Sequence, residues 1–174
     1  MARAIQGDER AYADLVRRHQ AHALRVAFVI CGSMSEAEDA VQDAFVKAHA
    51  ALPSVRANSP VRPWLMQVVA NTSRNRVRST VRRQRVWHRA AAQRTASPST
   101  PEEEALAALR DRELWVALTR LSERDRRVVA LRFFGGLSEA EIASALDVPV
   151  GTVKSRSARA LGRLSDLMKE GCDE

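Results

Sequence analysis

The chain has 174 residues, of which 45% are hydrophobic and 28% are charged. This composition excludes general disorder and suits one ordinary domain or two small ones. The sequence contains no apolar run near the ~18 residues of a membrane span and no apolar signal-peptide core at its N-terminus, so we expect a cytoplasmic protein without membrane insertion. The two cysteines have no CxxC spacing, and a structural disulfide is not expected in a reducing compartment.

Positive charge is concentrated in the middle of the sequence. The net charge is +7, and residues 44–101 carry eleven Lys or Arg and no Asp or Glu. A segment of that length without a carboxylate cannot balance its own charge, so its field attracts a polyanion. A solvated basic face and a patch for an anionic membrane are the alternatives, and nucleic acid is the interpretation that we favour.

Two helices are predicted in the first third of the chain. Asp8 is placed to cap a helix that runs to about Ile30, and Gly32 ends it. Ser35 and Glu38 have the spacing of a capping box, in which the serine meets a backbone amide and the glutamate reaches back. The sequence therefore predicts that a second helix, apolar on one side and acidic on the other, begins at this box.

A third helix is predicted after the loop Leu52–Arg62. It is expected to start near Pro63, since proline is tolerated in a first helical turn, and to end near Arg85. Its outer face is rich in arginine and asparagine. The residues of that face are Asn71, Arg74, Asn75, Arg78 and Arg82.

His19, His22 and Cys31 could in principle meet around a metal, because the two histidines are three residues apart on one helix. A structural zinc site normally has four well-spaced ligands, and this group offers three. We therefore interpret the group as two ordinary helix residues and a core cysteine, and we expect neither a metal nor a cofactor.

A change of composition divides the chain into two parts. Residues 88–100 have little to bury and are typical of a flexible linker. Thr100–Glu103 then has the cap, the first-turn proline and the acidic third residue of a helix start. The sequence thus predicts an all-α protein whose two small helical domains, at residues 1–87 and 101–174, are joined by this linker.

The second domain ends in the pattern of a helix-turn-helix. Ser138 and Glu141 form another capping box, and Ala143 is small where the next helix, over about Val150–Met168, would cross closely. A short turn fixes the angle between the two helices, so the second one stands out as a rod that fits a major groove. The apolar wedge between them is expected to contain Ile142, Leu146, Val148 and Val153.

The exposed side of this recognition helix is predicted to be cationic. At about 100° per residue, one side collects Val153, Ser157, Ala160, Leu161 and Leu164. The opposite side and its flanks carry side chains that suit guanine edges and phosphates. These candidate DNA-binding residues are Thr152, Lys154, Ser155, Arg156, Arg159 and Arg163.

Taken together, these motifs resemble the extracytoplasmic-function (ECF) group of bacterial sigma factors. The C-terminal segments that carry the resemblance are Leu121–Val129, Leu137–Ala143 and Gly151–Arg156. Two N-terminal segments are similar to the family's polymerase-binding motif and to the helix that meets the upstream edge of the melted promoter. They are Ala37–Phe45 and Pro63–Leu65, the latter followed by Ala70, Asn71 and Arg78.

The resemblance implies a sigma factor that binds core RNA polymerase and directs it to −10 and −35 promoter elements. Glu38, Asp39 and Gln42 would face the clamp helices of the polymerase's largest subunit. Asn58 would hold a flipped non-template base, and the recognition helix would read the −35 element. The residues implied to touch −10 DNA are Asn71, Arg74, Asn75 and Arg78. The family also implies an anti-sigma factor as a partner.

Two positions depart from the family pattern. Asn75 stands where many members carry an aspartate, and Arg74 stands where many carry an aliphatic residue. These departures bear on −10 specificity and not on the role of the helix. Because few aromatic side chains lie near the predicted melting loop, we expect melting to depend on close matches at both promoter elements.

Three other functions are compatible with parts of the sequence. An autonomous repressor or activator explains the helix-turn-helix but not the acidic helix or the basic middle segment. A nucleic-acid enzyme needs a carboxylate cluster or a nucleophile with a base, and the basic segment has no carboxylate. A helical adaptor that uses its acidic face leaves the arginine-rich surfaces unexplained. We therefore expect a DNA-binding subunit without catalytic activity.

Overall fold

A computed structural model describes residues 2–55, 60–87 and 112–172 of the chain. These residues form helices and turns with no strand among them, which agrees with the predicted all-α class. Asn58, the predicted linker at 88–100 and the predicted helix start at Thr100–Glu103 lie outside the described residues.

The N-terminal unit is a bundle in which α2, α3 and α4 all pack against one another. Its helices are α1 (Ala2–Ile5), α2 (Glu9–Cys31), α3 (Met34–Ala51) and α4 (Val61–Trp87), with a 3₁₀ turn at Leu52–Ser54. The core between the long helices is built from small and branched residues. They include Ala23, Val26, Ala27, Ala37, Ala40, Ala44, Leu65 and Val69, all of which are buried.

The ends of α2 form as the sequence predicts. Asp8 accepts a hydrogen bond from the backbone N–H of Ala11 at 3.0 Å, and this bond lowers the pKa of Asp8. Gly32 ends the helix at φ 81° and donates its backbone N–H to the carbonyl of Phe28. Glycine is favoured there because a Cβ would be strained in the left-handed region.

The start of α3 differs from the prediction. The predicted capping box at Ser35 and Glu38 is wrong, because the helix begins at Met34 and its N-cap is Ser33, which makes no side-chain capping bond. Ser33 is extended, at φ −149°, directly after the left-handed Gly32, so the chain re-enters a helix at once. Ser35 therefore lies within the first turn, and Glu38 is exposed.

The start of α4 also lies earlier than predicted. The helix begins at Val61, so Pro63 falls in its first turn, where the backbone N–H has no intrahelical acceptor to lose. It continues to Trp87, slightly beyond the predicted end near Arg85. Pro63 therefore lies in the first turn, as predicted, although the helix begins at Val61 and not at Pro63 itself.

The C-terminal unit contains the predicted helix-turn-helix. Its helices are α5 (Arg112–Thr119), α6 (Glu123–Val129), α7 (Glu139–Leu146) and α8 (Val150–Cys172). A π-helical turn at Ala130–Phe134 continues α6 until the two glycines break the chain. Gly136 has φ 64°, a conformation that glycine adopts without strain.

Serine caps begin both α6 and α7, and the second of them is the predicted capping box. The hydroxyl of Ser122 accepts the backbone N–H of Asp125 at the start of α6, and Ser138 and Glu141 form a complete capping box on α7. The predicted wedge is present as well, with half of its members fully buried and half partly covered. Ile142 and Val153 are buried, while Leu146 and Val148 are half-buried.

The recognition helix α8 is longer than predicted and buries a narrower stripe. Leu161, expected on the buried side, is 48% exposed, so that prediction is wrong. Leu161 follows the buried Ala160 by about 100° around the helix axis, which carries it off the stripe. The buried positions are Val153, Ala160, Leu164 and Leu167.

The two units share one hydrophobic core. Buried residues of α2 and α4 form a contiguous cluster with buried residues of α6, α7 and α8. Phe28 of α2 stacks on Trp115 of α5 with ring centroids 4.2 Å apart and an interplanar angle of 11°. The sequence predicts two tethered domains but not this docking, which places α7 against α4 and α6 against α2.

Candidate nucleic-acid interface

The recognition helix leaves its predicted DNA-binding side chains exposed or partly exposed to solvent. Lys154, Ser155, Arg159 and Arg163 are exposed, and Thr152 and Arg156 are half-buried. The sequence from Val150 to Ser165 contains no acid. This helix therefore offers an unbroken cationic surface of the kind that enters a major groove.

A buried carboxylate that the sequence analysis did not single out lies beneath Arg159. Asp125 is only 7% exposed. Its Oδ2 accepts the hydroxyl proton of Ser122 at 2.8 Å, and its Oδ1 lies 3.6 Å from Nη1 of Arg159. This distance exceeds hydrogen-bond length, so the pair is held by charge alone. Together with Thr152 and Ser155, these residues line a cleft of about 490 Å³.

Helix α4 brings its predicted −10 residues together on one stripe, at the spacing i, i+3, i+4 and i+7 that shares a helix face. Asn71, Asn75 and Arg78 are exposed, and Arg74 is half-buried. Within the described part of the chain, Asn75 has no hydrogen bond or ion pair. The other three side chains behave differently, because each contacts the C-terminal unit.

Glu123, the first residue of α6, is the centre of this contact. Nε of Arg74 donates to Oε1 of Glu123 at 2.8 Å, and Nη2 of Arg78 lies 3.5 Å from the same oxygen. Nearby, Arg127 donates to Oδ1 of Asn71 at 2.9 Å. Burial works to raise the pKa of Glu123, but the Arg74 hydrogen bond and the Arg78 charge outweigh it, and the pKa lies below its ordinary value.

A cleft of about 700 Å³ lies at this contact between the units. Among the described residues, its lining holds one carboxylate, Glu123, and five arginines. The arginines are Arg74, Arg78, Arg124, Arg127 and Arg156. Burial lowers the pKa of Arg127, and the neighbouring Arg74 charge lowers it further. The excess of positive charge makes the cleft a strongly cationic surface.

The predicted polymerase-binding residues lie on α3, where an unpredicted arginine ties α3 to α4. Nε of Arg76 donates to Glu36 at 2.6 Å, and its two other nitrogens pair with Asp39 and with Asp43, the latter at 3.5 Å. Burial works to lower the pKa of Arg76, but the three carboxylates outweigh it and raise the pKa. Asp39 is therefore an ion-pair partner within the unit as well as a candidate contact residue.

Glu38 and Gln42 point instead toward a groove between α2 and α3. The groove has a volume of about 670 Å³, and its floor is apolar. Leu24, Val41 and Phe45 contribute the apolar part of the lining. Asp39 does not line this groove. Of the three predicted polymerase contacts, Glu38 and Gln42 therefore lie at the groove, whereas Asp39 pairs with Arg76.

The candidate metal group is dispersed along α2. His19 and His22 lie nine or more residues from Cys31, a distance of over ~13 Å along the helix. Burial lowers the pKa of both histidines, whereas it raises the pKa of Cys31 to about 11. Among the described residues, no group of three His, Cys, Asp or Glu side chains is close enough to hold a metal.

Some functional residues escaped the sequence analysis for different reasons. The ion-pair network of Arg76 had a signal, since Glu36, Asp39 and Asp43 repeat at helical spacing on one side of α3. Glu123 had no such signal in the sequence, because its partners Arg74 and Arg78 are about fifty positions away and belong to the other unit. Asp125 had no signal either, because Arg159, which its Oδ1 faces, belongs to a different helix, α8.

The fold and the two cationic faces define a DNA-binding protein of the helix-turn-helix class, with a second arginine-rich helix on a separate unit. The model of the family Sigma-70 region 2 matches residues 15–83, and the model of Sigma-70, region 4 matches residues 111–164. The first match covers most of α2 to α4, and the second covers the helix-turn-helix and the helices before it.

Relatives of known name are similar over nearly the whole chain. The ECF RNA polymerase sigma factor SigM of Mycobacterium tuberculosis is 35% identical over 173 residues, which cover 97% of this chain and 82% of the relative. The ECF RNA polymerase sigma-E factor of Escherichia coli is 33% identical over 168 residues, covering 91% of this chain and 86% of the relative. The chain belongs to the ECF RNA polymerase sigma factors, which direct RNA polymerase to initiate transcription at promoters.

Solved structures of similar fold agree with this assignment. One is described as CnrH in complex with the cytosolic domain of CnrY, with a TM-score of 0.73, 27% identity and coverage of 97% of this chain and 94% of that chain. Another is described as the sigma factor RpoE in complex with the anti-sigma factor NepR from Bartonella quintana, with a TM-score of 0.72, 26% identity and coverage of 90% and 97%. In the described part of this chain, no helix has the length and apolarity needed to cross a bilayer.

Proposed function

We propose that α8 reads the −35 element and that α4, with the loop around Asn58, reads the −10 element while RNA polymerase holds both units. The observation that carries this proposal is the presence of one cationic helix face on each of two units. Each unit alone is too small to select a promoter tightly. When a larger partner holds both, the second DNA contact becomes intramolecular, and its effective concentration rises.

The proposed division of labour within α8 follows from side-chain chemistry. Arg156, Arg159 and Arg163 can grip guanine edges bidentately. Lys154, with the hydroxyls of Thr152 and Ser155, suits phosphate oxygens, which position the helix without carrying sequence information. On α4, Asn71, Arg74, Asn75 and Arg78 are the proposed −10 contacts.

The groove between α2 and α3 is the proposed docking surface for core polymerase. Glu38 and Gln42 line it beside an apolar floor, so a partner helix could bury apolar side chains while its basic residues meet Glu38. Asp39 stays within the proposed surface, but its ion pair with Arg76 gives it a structural role as well. A substitution of Asp39 would therefore disturb the bundle and the interface together.

We also infer that an anti-sigma factor controls this protein. The support is that two similar sigma factors have been solved in complexes, CnrH with CnrY and RpoE with the anti-sigma factor NepR. We further propose that the chain acts inside the cell as a subunit without catalytic activity, and that its two domains extend over residues 1–87 and 101–174, joined by the segment 88–100.

Transcription in vitro with core polymerase over genomic fragments, followed by mapping of the start sites, tests the proposal. We expect starts that share upstream elements and that disappear without the chain. Glu38→Arg should weaken association with core polymerase, whereas Glu9→Arg, an exposed change at the start of α2 outside the groove, should not. Tight operator binding by a dimer of the free chain, without any effect of polymerase, would instead identify an autonomous repressor.

A further inference from the structure

We propose that in the free protein the C-terminal unit docks on the −10 face of α4 and competes with promoter DNA for the same side chains. This inference rests on the proposed function of α4. The interaction surface is the −10 face of α4, and its partner is the chain's own α6 and α7. Free and polymerase-bound protein should therefore differ in their affinity for −10 DNA.

The polar part of the contact occupies the α4 stripe directly. Oε1 of Glu123 accepts a hydrogen bond from Arg74 at 2.8 Å and forms an ion pair with Arg78 at 3.5 Å, and Arg127 donates to the amide oxygen of Asn71 at 2.9 Å. A carboxylate offers guanidinium groups the same kind of acceptor oxygens as a DNA phosphate does. Three of the four side chains proposed to touch −10 DNA are therefore engaged before DNA arrives.

The contact is more than an attraction between opposite charges, because two further contacts, neither of them an ion pair, help to fix its geometry. Phe28 and Trp115 stack face to face across the units, with centroids 4.2 Å apart. At another point the guanidinium of Arg62, from the first turn of α4, lies against Gly136 in the space that a Cβ would fill. A substitution that adds a Cβ at Gly136 would therefore require the Arg62 guanidinium to move.

These contacts have a direct consequence for DNA binding. A duplex or a melted strand on α4 must displace Glu123, and the units must then move apart, since Glu123 lies at the start of α6. Displacement also removes the Glu123 carboxylate from Arg74 and Arg78 on α4. The α4 face is therefore covered in the free chain and gains positive charge when the units separate.

Charge reversal at Glu123 tests this inference with a matched control. Glu123 and Glu139 are each the first residue of a helix and each follows a serine cap, so Glu123→Arg and Glu139→Arg change net charge and helix-dipole energy equally. Only the first places a cation beside Arg74, Arg78 and Arg127. We expect Glu123→Arg to enlarge the radius of gyration measured by small-angle X-ray scattering, and Glu139→Arg to leave it unchanged.

The second readout is the affinity of the free full-length chain for a single-stranded −10 oligonucleotide at fixed salt. Glu123→Arg should bind roughly fivefold tighter than Glu139→Arg, in line with one partly exposed ion-pair cluster. Phe28→Ala, which opens the contact without changing charge, should also bind more tightly than wild type. The variant Tyr12→Ala, which removes an aromatic contact with His49 inside the N-terminal unit, serves as its control.

The outcomes separate this inference from the proposed function. A wild-type radius of gyration as large as that of an opened chain would overturn the docking, and equal, compact radii for wild type, Glu123→Arg and Glu139→Arg would overturn the role of Glu123 in holding the units together. An enlarged radius without tighter −10 binding would overturn the competition. Failure of all variants to support promoter binding with core polymerase would contradict the proposed function instead, and the scattering result would still decide whether the units dock.

A separate observation, the buried carboxylate of Asp125, carries a second inference. The geometry points to Asp125 as a positioning residue for Arg159 in −35 readout, again on the basis of the proposed function of α8. Asp125 is 7% exposed, its Oδ2 is satisfied by Ser122, and its Oδ1 has no hydrogen-bond partner but lies 3.6 Å from Nη1 of Arg159. A fixed buried charge at that point restricts where the long side chain of Arg159 can lie.

The test uses Asp125→Asn, which keeps an acceptor for Ser122 but removes the charge. Glu141→Gln is the control, because Glu141 holds the corresponding third position of the α7 capping box. With holoenzyme, we expect Asp125→Asn to lower discrimination at the base pair that Arg159 reads and to leave other positions unchanged. Adding Arg159→Ala should cause no further loss. Equal weakening at every base pair, or additive losses in the double variant, would show that Asp125 is only a cap.

Discussion

The two cationic helices of this protein differ in what surrounds them rather than in their chemistry. On α8, Lys154 and Arg163 extend into solvent, and Arg159 is 66% exposed despite its charge contact with Asp125. On α4, Arg74 and Arg78 share the Glu123 carboxylate of the other unit. Charge alone therefore does not tell which face of a DNA-binding protein is available.

The contrast also suggests an order of events. The −35 face can meet DNA in the arrangement described, whereas the −10 face requires Glu123 to leave. A protein built this way would search with one helix and complete its contact with the other once polymerase has separated the units. Four experiments sharpen or break this comparison.

The largest effect is expected from cavities placed in either region. Ile142→Ala in α7 and Leu65→Ala in α4 both truncate fully buried side chains, and each should lower the free energy of unfolding by about 2–5 kcal/mol. Because the two units share one core, urea denaturation should show a single cooperative transition in both variants. Two transitions, with each substitution moving only one of them, would show that the units unfold independently.

Removing one DNA contact from each face compares the faces directly. Arg159→Ala and Asn75→Ala should each cost about 1–3 kcal/mol of discrimination, the first at the −35 element and the second at the −10 element. Asn75 is the useful probe on α4 because, among described residues, it does not touch the C-terminal unit. Holoenzyme affinities for promoters altered at one element at a time supply the measurement. If either variant changes selectivity at the wrong element, the assignment of the two helices is incorrect.

The Arg76 network should affect stability and not DNA binding. Arg76→Met leaves Glu36, Asp39 and Asp43 close together without their cation, and we expect a loss of roughly 1 kcal/mol, because two of these carboxylates are about half exposed and screened by solvent. Chemical denaturation measures this loss, with Lys47→Met on the exposed side of α3 as control. A promoter-binding defect as large as that of Asn75→Ala would place Arg76 on the DNA face.

The smallest effect concerns salt. Lys154→Ala should reduce the slope of log affinity against log salt concentration by about 1 and should weaken binding to all −35 sequences alike, because a phosphate contact carries no sequence information. Arg10→Ala, an exposed change in the first turn of α2 outside the groove between α2 and α3, should leave the slope unchanged. A change in base preference at Lys154→Ala would move that residue from phosphate binding to base readout.

Most of the local structure could be predicted because it depends on local chemistry. Asp8, Gly32 and the Ser138–Glu141 box set helix ends through bonds to backbone groups within a few residues. The start of α3 was predicted too late. Gly32 lies in the left-handed region, and this allows the next helix to begin at Met34, before the capping motif that the sequence suggests at Ser35. Sequence patterns place such boundaries only to within a turn.

The docking of the two units could not be predicted from the sequence. It depends on which long-range partners meet, such as Phe28 with Trp115 and Arg74 with Glu123, and neither pair follows a helical or strand repeat. The arrangement of the candidate residues along α4 and α8 could be predicted, since helical periodicity determines which side chains share a face. Their binding of DNA stays a prediction. What the sequence lacked was the information that one stripe is covered.

The most direct test of this account is the affinity of one promoter fragment for the free chain and for the chain with core polymerase, in the same buffer. We predict that the free chain binds the fragment weakly and with little preference over scrambled DNA, and that core polymerase raises specific affinity by roughly a hundredfold or more. Tight and specific binding by the free chain, unchanged by core polymerase, would contradict it.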